Sequence, residues 1–398
     1  MKAAPISPEI LDAMPEELAE LYRGLELTLL QNIAEQLTTD KVNEVTLQNI
    51  RELRSHGLSL EEIEKAIENT SGISKKKLKE LFDDAVLRNQ RYYSSILDLA
   101  KLTIPETMLD TAVINAIIEQ TTDEVLNITR SMGFVVDSGR TFLPPAKAYQ
   151  WALNNATIQV NSGVSYNKAI ANATRQLADS GLQIVNYESG HRDHVDVAVR
   201  RAVMTGINQL NRQYDEKAMQ ELQTDLVEVA AHAGARDKGT GFVNHKSWQG
   251  RIYRWAKYTR EFPDASSGNY PDFEETCGLG DVQGILGANC RHNWHCYLEG
   301  IMEPSYTEEQ LANIDPPDVE YEGKTYTQYE ATQQQRRLEN TIRKWKRVEA
   351  GATNSEDKLT AQIRLRRLRQ FYNDFSETAG LKKQPERMKA YMPIKKAE

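Results

Sequence analysis

Cysteine is scarce, with three thiols in 398 residues. Three cannot staple a chain of this length, and an odd count leaves one unpaired, so a disulfide scaffold is excluded and a reducing compartment is expected. Long apolar runs are missing too. None reaches the roughly 18 residues that cross a bilayer as a helix. The opening residues, Met1-Lys-Ala-Ala-Pro5-Ile-Ser-Pro8-Glu9, contain no apolar stretch of the secretory type, so synthesis and retention in a cytosol are expected. No CxxC pair occurs, no Gly-x4-Gly-Lys-Ser/Thr phosphate loop, and no repeat of fixed period. The glycines of Gly278-Leu-Gly280-Asp-Val-Gln-Gly284 carry one residue too many for a dinucleotide fingerprint and follow no strand. An ATPase or a nicotinamide enzyme is therefore not expected.

What is present is a chain able to fold. Hydrophobic residues make up 40% and charged residues 27%, and the length suits two or three domains. Charge is uneven. Residues 331–398 carry 17 Lys+Arg against 8 Asp+Glu, a balance of +9, so the other 330 residues carry −17. The first 40 residues alone hold 8 acids and 2 bases. An acidic body with a basic tail can meet a polyanion at one end only. The competing account is that exposed helices are charged in any case.

Residues 1–135 read as helices. Leu18, Tyr22, Leu25, Leu29 and Ile33 recur at helical spacing. Ser59 with Glu62, and Thr103 with Glu106 beside Pro105, are capping-box patterns that predict helix starts. Gly57 and Ser71-Gly72 predict breaks, giving a bundle of about five helices. From residue 136 the texture becomes α+β. Helices are predicted near 145–160 and 164–179, a strand at Leu182-Gln-Ile-Val-Asn-Tyr187, and a helix of about 25 residues from Asp193. A second strand is predicted at Asp225-Leu-Val-Glu-Val-Ala-Ala231. A loop-rich stretch of Gly, His, Trp and Cys follows, in which Tyr297-Leu-Glu-Gly-Ile301 reads as extended. From residue 318, Val319-Glu-Tyr-Glu-Gly-Lys-Thr-Tyr-Thr327 predicts a small hairpin about Glu322-Gly323. Two helices split at Gly351 come next. Leu338, Ile342 and Trp345 share a face of the first; Ala361, Leu365, Leu368, Tyr372 and Phe375 share one of the second.

Six of seven histidines and all three cysteines fall between His191 and Cys296. The densest piece is Cys290-Arg-His-Asn-Trp-His-Cys296. Zinc takes four thiolate or imidazole ligands, and Cys277, Cys290, His292 and Cys296 supply four in a spacing unlike a standard finger. The alternative is reduced, buried thiols and hydrogen-bonded histidines. A second cluster runs His232-Ala-Gly-Ala-Arg236-Asp237, then His245-Lys-Ser-Trp248-Gln-Gly250. His232 sits where a strand opens into a loop, a place suited to a base, with Arg236 able to hold an anion. No ordered nucleophile-base-acid set accompanies it, and Ser247 lacks a nucleophile-elbow context, so the preferred account is that His232, Arg236 and Trp248 knit an irregular loop into the fold by hydrogen bonding and stacking. A His-Asn-His nuclease would draw on His245, Asn289, His292, Asn293 and His295 around one divalent ion. It needs a helix after the hairpin, and none is predicted beyond Trp294.

Three stretches together resemble the phage minor capsid protein 2 family, related to the Mu F-like head morphogenesis proteins. They are Val199-Arg-Arg-Ala-Val-Met-Thr-Gly-Ile-Asn-Gln209, then His232-Ala-Gly-Ala-Arg236 leading to Trp248-Gln-Gly250, then Gly287-Ala-Asn-Cys-Arg-His292 ending in Glu299-Gly300-Ile301. The resemblance covers about residues 100–310. Family positions are Arg200, Arg201, Thr205, Gly206, His232, Gly234, Arg236, His245, Trp248, Gly250, Asn289, Cys290, Arg291 and His292. Two departures stand out. Lys238-Gly-Thr-Gly-Phe-Val-Asn244 lengthens the loop before His245, and Trp294-His-Cys296 replaces an aromatic and a proline. Cys277, His295 and Cys296 are thus not family positions.

The resemblance implies a non-enzymatic structural protein of a tailed-phage virion, made in the bacterial cytoplasm and seated at the portal vertex inside the head. Its implied partners are the portal protein, capsid or scaffolding proteins and packaged double-stranded DNA, with no membrane. The expected fold is mainly α with an α+β core. A helical region over 1–135 would dock to portal or capsid, the α+β core spans 136–317, and a hairpin with a basic helical tail spans 318–398. Arg364, Arg366, Arg367 and Arg369 are the candidate DNA contacts. No cofactor is expected, structural zinc being the one metal reading left open. The enzymatic alternative is a metal-dependent nuclease or an ADP-ribosyltransferase-like enzyme on the His/Cys-rich core.

Overall fold

A computed structural model describes residues 5–38, 60–103, 105, 107–185, 190–287 and 290–390. Helix α1 (Pro8–Ala13) starts where Ser7 accepts the Ile10 N–H and Pro8 takes a first-turn position that needs no donor. Helix α2 (Glu16–Leu37) opens on two acids at the positive end of its dipole. Its stripe of Leu18, Tyr22, Leu25, Leu29 and Ile33 is buried throughout.

Two helix boundaries differ from those expected. The chain runs through Ser71-Gly72 as one 40-residue helix, α3 (Leu60–Leu99). The Ser71 hydroxyl donates to the Ile67 carbonyl at 2.9 Å, and one interior glycine costs only about 1 kcal/mol. Long-range burial of Leu78, Phe82, Tyr93 and Ile96 outweighs that. The Thr103 capping pattern also fails. Thr103 and Pro105 are non-helical, and α4 (Thr111–Ser131) begins later, with Asp110 accepting the Ala112 N–H at 2.8 Å. Gly57, Ser59 and Glu106 lie outside the described residues.

The middle of the chain builds two antiparallel sheets. Strands β1 (Gly133–Val136) and β2 (Thr141–Leu143) precede helices α5 (Pro145–Asn161) and α6 (Tyr166–Ser180). With β3 (Leu182–Val185) and β4 (Arg192–His194) they form the order β2-β1-β3-β4, with Phe134 opposite Leu143 and Gln183 opposite His194. Helix α7 (Val195–Leu222) leaves β4 directly. The second sheet places β5 (Leu226–Val229) between β6 (Ile252–Arg254) and β7 (Trp294–Tyr297), setting Val227 between Tyr253 and Cys296. Four short helices punctuate the surrounding loops: α8 (His245–Trp248), α9 (Ala256–Glu261), α10 (Phe273–Cys277) and α11 (Glu308–Ala312). The predicted hairpin is present as β8 (Val319–Tyr321) and β9 (Lys324–Tyr326), with left-handed backbone at both Glu322 and Gly323. Helices α12 (Gln328–Ala350) and α13 (Ser355–Thr378) follow. The fold is mainly α with an α+β core. Among the described residues no helix is long and apolar enough to cross a membrane.

The chain divides into two compact units, each drawn from all three stretches read in the sequence. One comprises Met1–Pro15, Leu78–Asp123 and Arg201–Gln333; the other comprises Glu16–Lys77, Glu124–Arg200 and Gln334–Glu398. The divisions fall inside α3, α4, α7 and α12. In the first unit, Gly206 of α7 lets helices come close, because a Cβ there would stand 2.2 Å from Thr121 Oγ1 on α4 and 3.0 Å from Phe82 on α3. Further along the same helices Asn89 donates to Asn211 at 2.8 Å, and Tyr93 donates to the buried Asp215. In the second unit a buried ion network holds the core. Glu16 accepts from Arg23 and Arg200, and Asp196 pairs with Arg23. Glu26 accepts the Leu182 N–H at 2.6 Å and pairs with Arg347, which also donates to the Ala178 carbonyl.

Candidate functional site

The residues that carry the chemistry lie in the first unit, where β5 runs out into a loop beside β7. Past Val229 the backbone stays tied to its neighbours: the Ala230 N–H donates to the Asn293 carbonyl at 2.9 Å. That delivers His232 alongside the 290–293 segment. The chain then turns through Gly234, whose N–H donates to Asp315 at 2.7 Å, and re-enters as α8, where Lys246 N–H donates to the Arg236 carbonyl. Gly250 ends this path at φ +71°, where a Cβ would meet the Leu311 methyl at 2.3 Å and Ala231 at 3.1 Å, so a side chain there is strained and would push Leu311 aside. The lengthened loop closes over the tryptophan, since Trp248 Nε1 donates to the Phe242 carbonyl at 2.9 Å.

Three imidazoles and one indole converge there. The His232 and His292 rings stack at 4.4 Å, Trp248 meets His292 edge-on at 4.8 Å, and His245 lies 4.6 Å from Trp248 and 5.3 Å from His292. His232, His245 and His292 are 6%, 3% and 1% exposed, so all three are buried.

The hydrogen bonds settle the tautomers of His292 and His245. The His232 backbone N–H can only donate, and it points at Gln249 Oε1 at 3.1 Å, so that atom is an acceptor. The same oxygen lies 3.0 Å from His292 Nε2, which must therefore carry the proton. His292 Nδ1 keeps its lone pair, 3.5 Å from Cys290 Sγ. By the same reasoning His245 Nε2 donates to the Gln283 carbonyl at 2.8 Å, an oxygen that also accepts from Arg236 at 3.2 Å. His232 Nδ1 is placed between the Ala233 carbonyl at 2.9 Å and Arg291 at 3.2 Å. It donates to the first or accepts from the second according to its tautomer.

Burial sets the charges. Desolvation, with His232, His245, Arg291 and Arg236 nearby, holds His292 well below the ordinary histidine range. Burial likewise lowers His245, against the pull of its bond to Gln283. The Cys290 thiol is pushed up to about 11 by burial, although backbone hydrogen bonds and the two arginines favour its thiolate. At neutral pH His245 and His292 are therefore neutral and the Cys290 thiol keeps its proton.

The other residues singled out from the sequence are distributed around this cluster or away from it. Cys277 ends α10 and Cys296 lies on β7, both fully buried, and their thiols are pushed up chiefly by desolvation. Neither joins Cys290 and His292. The group brought together, among the described residues, is His245, Cys290 and His292, with ligand atoms within 4.8 Å of one another. His295 Nε2 lies 3.1 Å from Glu228, both fully buried, and the Asn293 amide donates to the Ile6 carbonyl. Neither faces the cluster as a nuclease would require. Residues 298–301 turn rather than extend, because Ile301 and Met302 N–H groups both return to the Leu298 carbonyl. Asn289 lies outside the described residues. Thr205 and Arg201 are exposed on α7, and Arg200 pairs with Glu16. Arg364, Arg366, Arg367 and Arg369 are all exposed on α13, with Arg364 lying 5.9 Å over the Trp345 ring. Sequence reasoning missed Gln249, whose oxygen orders two of the three histidines. It was visible within Trp-Gln-Gly, but its role depends on a partner brought from beside β7.

The family model for phage minor capsid protein 2 matches residues 6–377. The chain belongs to that family. Neither a curated protein nor a solved structure matches it. Phage minor capsid protein 2 is a structural component of the phage particle, and the match takes in both compact units of this chain. The closed, stacked histidine cluster agrees with an architectural part. The enzymatic alternatives are not favoured.

Proposed function

We propose that this minor capsid protein is seated at the portal vertex inside the head, assists head assembly through portal and capsid or scaffolding contacts, and touches packaged double-stranded DNA. The family match over nearly the whole chain carries the reading. The exposed arginines of α13 support the DNA contact: they present guanidinium groups that bind phosphate without reading sequence. The docking role of residues 1–135 rests on their exposed acids. Glu16 and Glu26 are consumed by internal ion pairs, whereas Glu64 and Glu68 of α3 stand on the surface, where a partner can meet them. A map of the head vertex in which this chain is located tests the proposal. Density for the chain against the portal, on the interior side, is the expected result. Density confined to the outer shell would remove the portal and DNA contacts together.

A further inference from the structure

The histidine cluster has a property that a purely packed core does not need. His245 and His292 each spend Nε2 on a fixed oxygen, the Gln283 carbonyl and Gln249 Oε1. Their Nδ1 lone pairs are thereby left as the ring atoms able to accept. Cys290 adds a sulfur 3.5 Å from His292 Nδ1. This is the arrangement in which metal-binding imidazoles occur, one nitrogen on the ion and the other N–H held by an outer oxygen that fixes tautomer and ring orientation.

We propose that His245, Cys290 and His292 form a three-ligand site for a borderline divalent cation, zinc, with water as the fourth ligand. Bond lengths of about 2.0–2.1 Å to nitrogen and 2.3 Å to sulfur put tetrahedral ligand atoms roughly 3.5 Å apart. The Cys290–His292 pair already has that spacing, and a ring nitrogen of His245 lies within 4.8 Å of both, so His245 has to turn or close by up to about an ångström to present Nδ1. The ligand types choose the metal, since two imidazoles and a thiolate suit zinc and reject magnesium or calcium. Binding replaces the Sγ–H bond to His292 with an Sγ–metal bond, and the thiol proton leaves to solvent. The thiolate so formed offsets half the charge of the ion. All three ligands are buried, and an ion held by them would clip the 232–250 loop to the 290–292 segment. Cys277 and Cys296 take no part.

The test uses the full-length protein loaded with cobalt(II) as a spectroscopic stand-in for zinc. One equivalent should bind, with tetrahedral d–d bands and a thiolate-to-cobalt charge-transfer band of single-thiolate intensity. Cys290→Ser should abolish that band, and Cys277→Ser or Cys296→Ser should leave it unchanged. Zinc should displace the cobalt at one equivalent. Absence of the band in the unaltered protein, an intensity matching two or three thiolates, or its survival in Cys290→Ser would overturn the proposal. The first two readouts need no variant, so they stand even if Cys290→Ser fails to fold.

Discussion

At the scale of single residues, Gln249 organises the centre of this protein. Its oxygen accepts from the His232 backbone N–H and from His292 Nε2, and the residue is buried. Replacing it with leucine keeps the bulk but leaves two buried donors unpaired, each worth about 1–3 kcal/mol. Gln249→Leu is therefore expected to lower unfolding stability by about 2–5 kcal/mol, read from denaturant midpoints. Glu at the same position retains an acceptor and should recover part of the loss. A Gln249→Leu protein as stable as the original would show that these bonds contribute nothing net. The histidines and Cys290 were legible in the sequence because such residues are rare and clustered. Which nitrogen carries each proton was not, since that follows from oxygens supplied by Gln249 and Gln283 after the chain has folded.

At the scale of elements, two glycines in helices make opposite predictions. Gly72 lies within α3 with open space where a Cβ would be. Gly72→Ala should stabilise by about 0.5–1 kcal/mol through lower chain entropy in the unfolded state. Gly206 lies within α7 against Thr121, where a Cβ has no room. Gly206→Ala should destabilise by about 1–3 kcal/mol, and Thr121→Ala should partly restore it. Chemical denaturation of these variants beside the original checks both signs; equal effects at the two glycines would refute the packing argument. The contrast explains the misplaced helix break. A glycine in a helical pattern reads the same whether it ends a helix, sits idle or admits a neighbour, and only the neighbour distinguishes them.

At the scale of the whole molecule, the basic tail is part of the fold rather than an appendage. Arg347 of α12 is buried against Glu26 and Ala178 within one compact unit. Removing residues 331–398 would therefore test stability as much as DNA contact. A cleaner experiment changes Arg366, Arg367 and Arg369 to alanine, all three exposed on α13. Binding to double-stranded DNA should weaken, and the slope of log affinity against log salt should fall by about 2–3, near 0.9 for each phosphate that is no longer neutralised. Arg364, stacked on Trp345, should matter less. An unchanged salt slope would end the DNA-contact proposal.

The sequence by itself determined the helices with strong apolar stripes, the hairpin at Glu322-Gly323, the α+β character of the middle and the family. Each is written in neighbouring residues, as period, turn chemistry or motif. Tertiary structure alone decided where the long helices start and pass through, how distant segments combine into two units, and that His245, not Cys277 or Cys296, meets Cys290 and His292. Those outcomes depend on contacts between residues far apart in the chain. Burial and hydrogen bonding choose among such partners only once the backbone has brought them together.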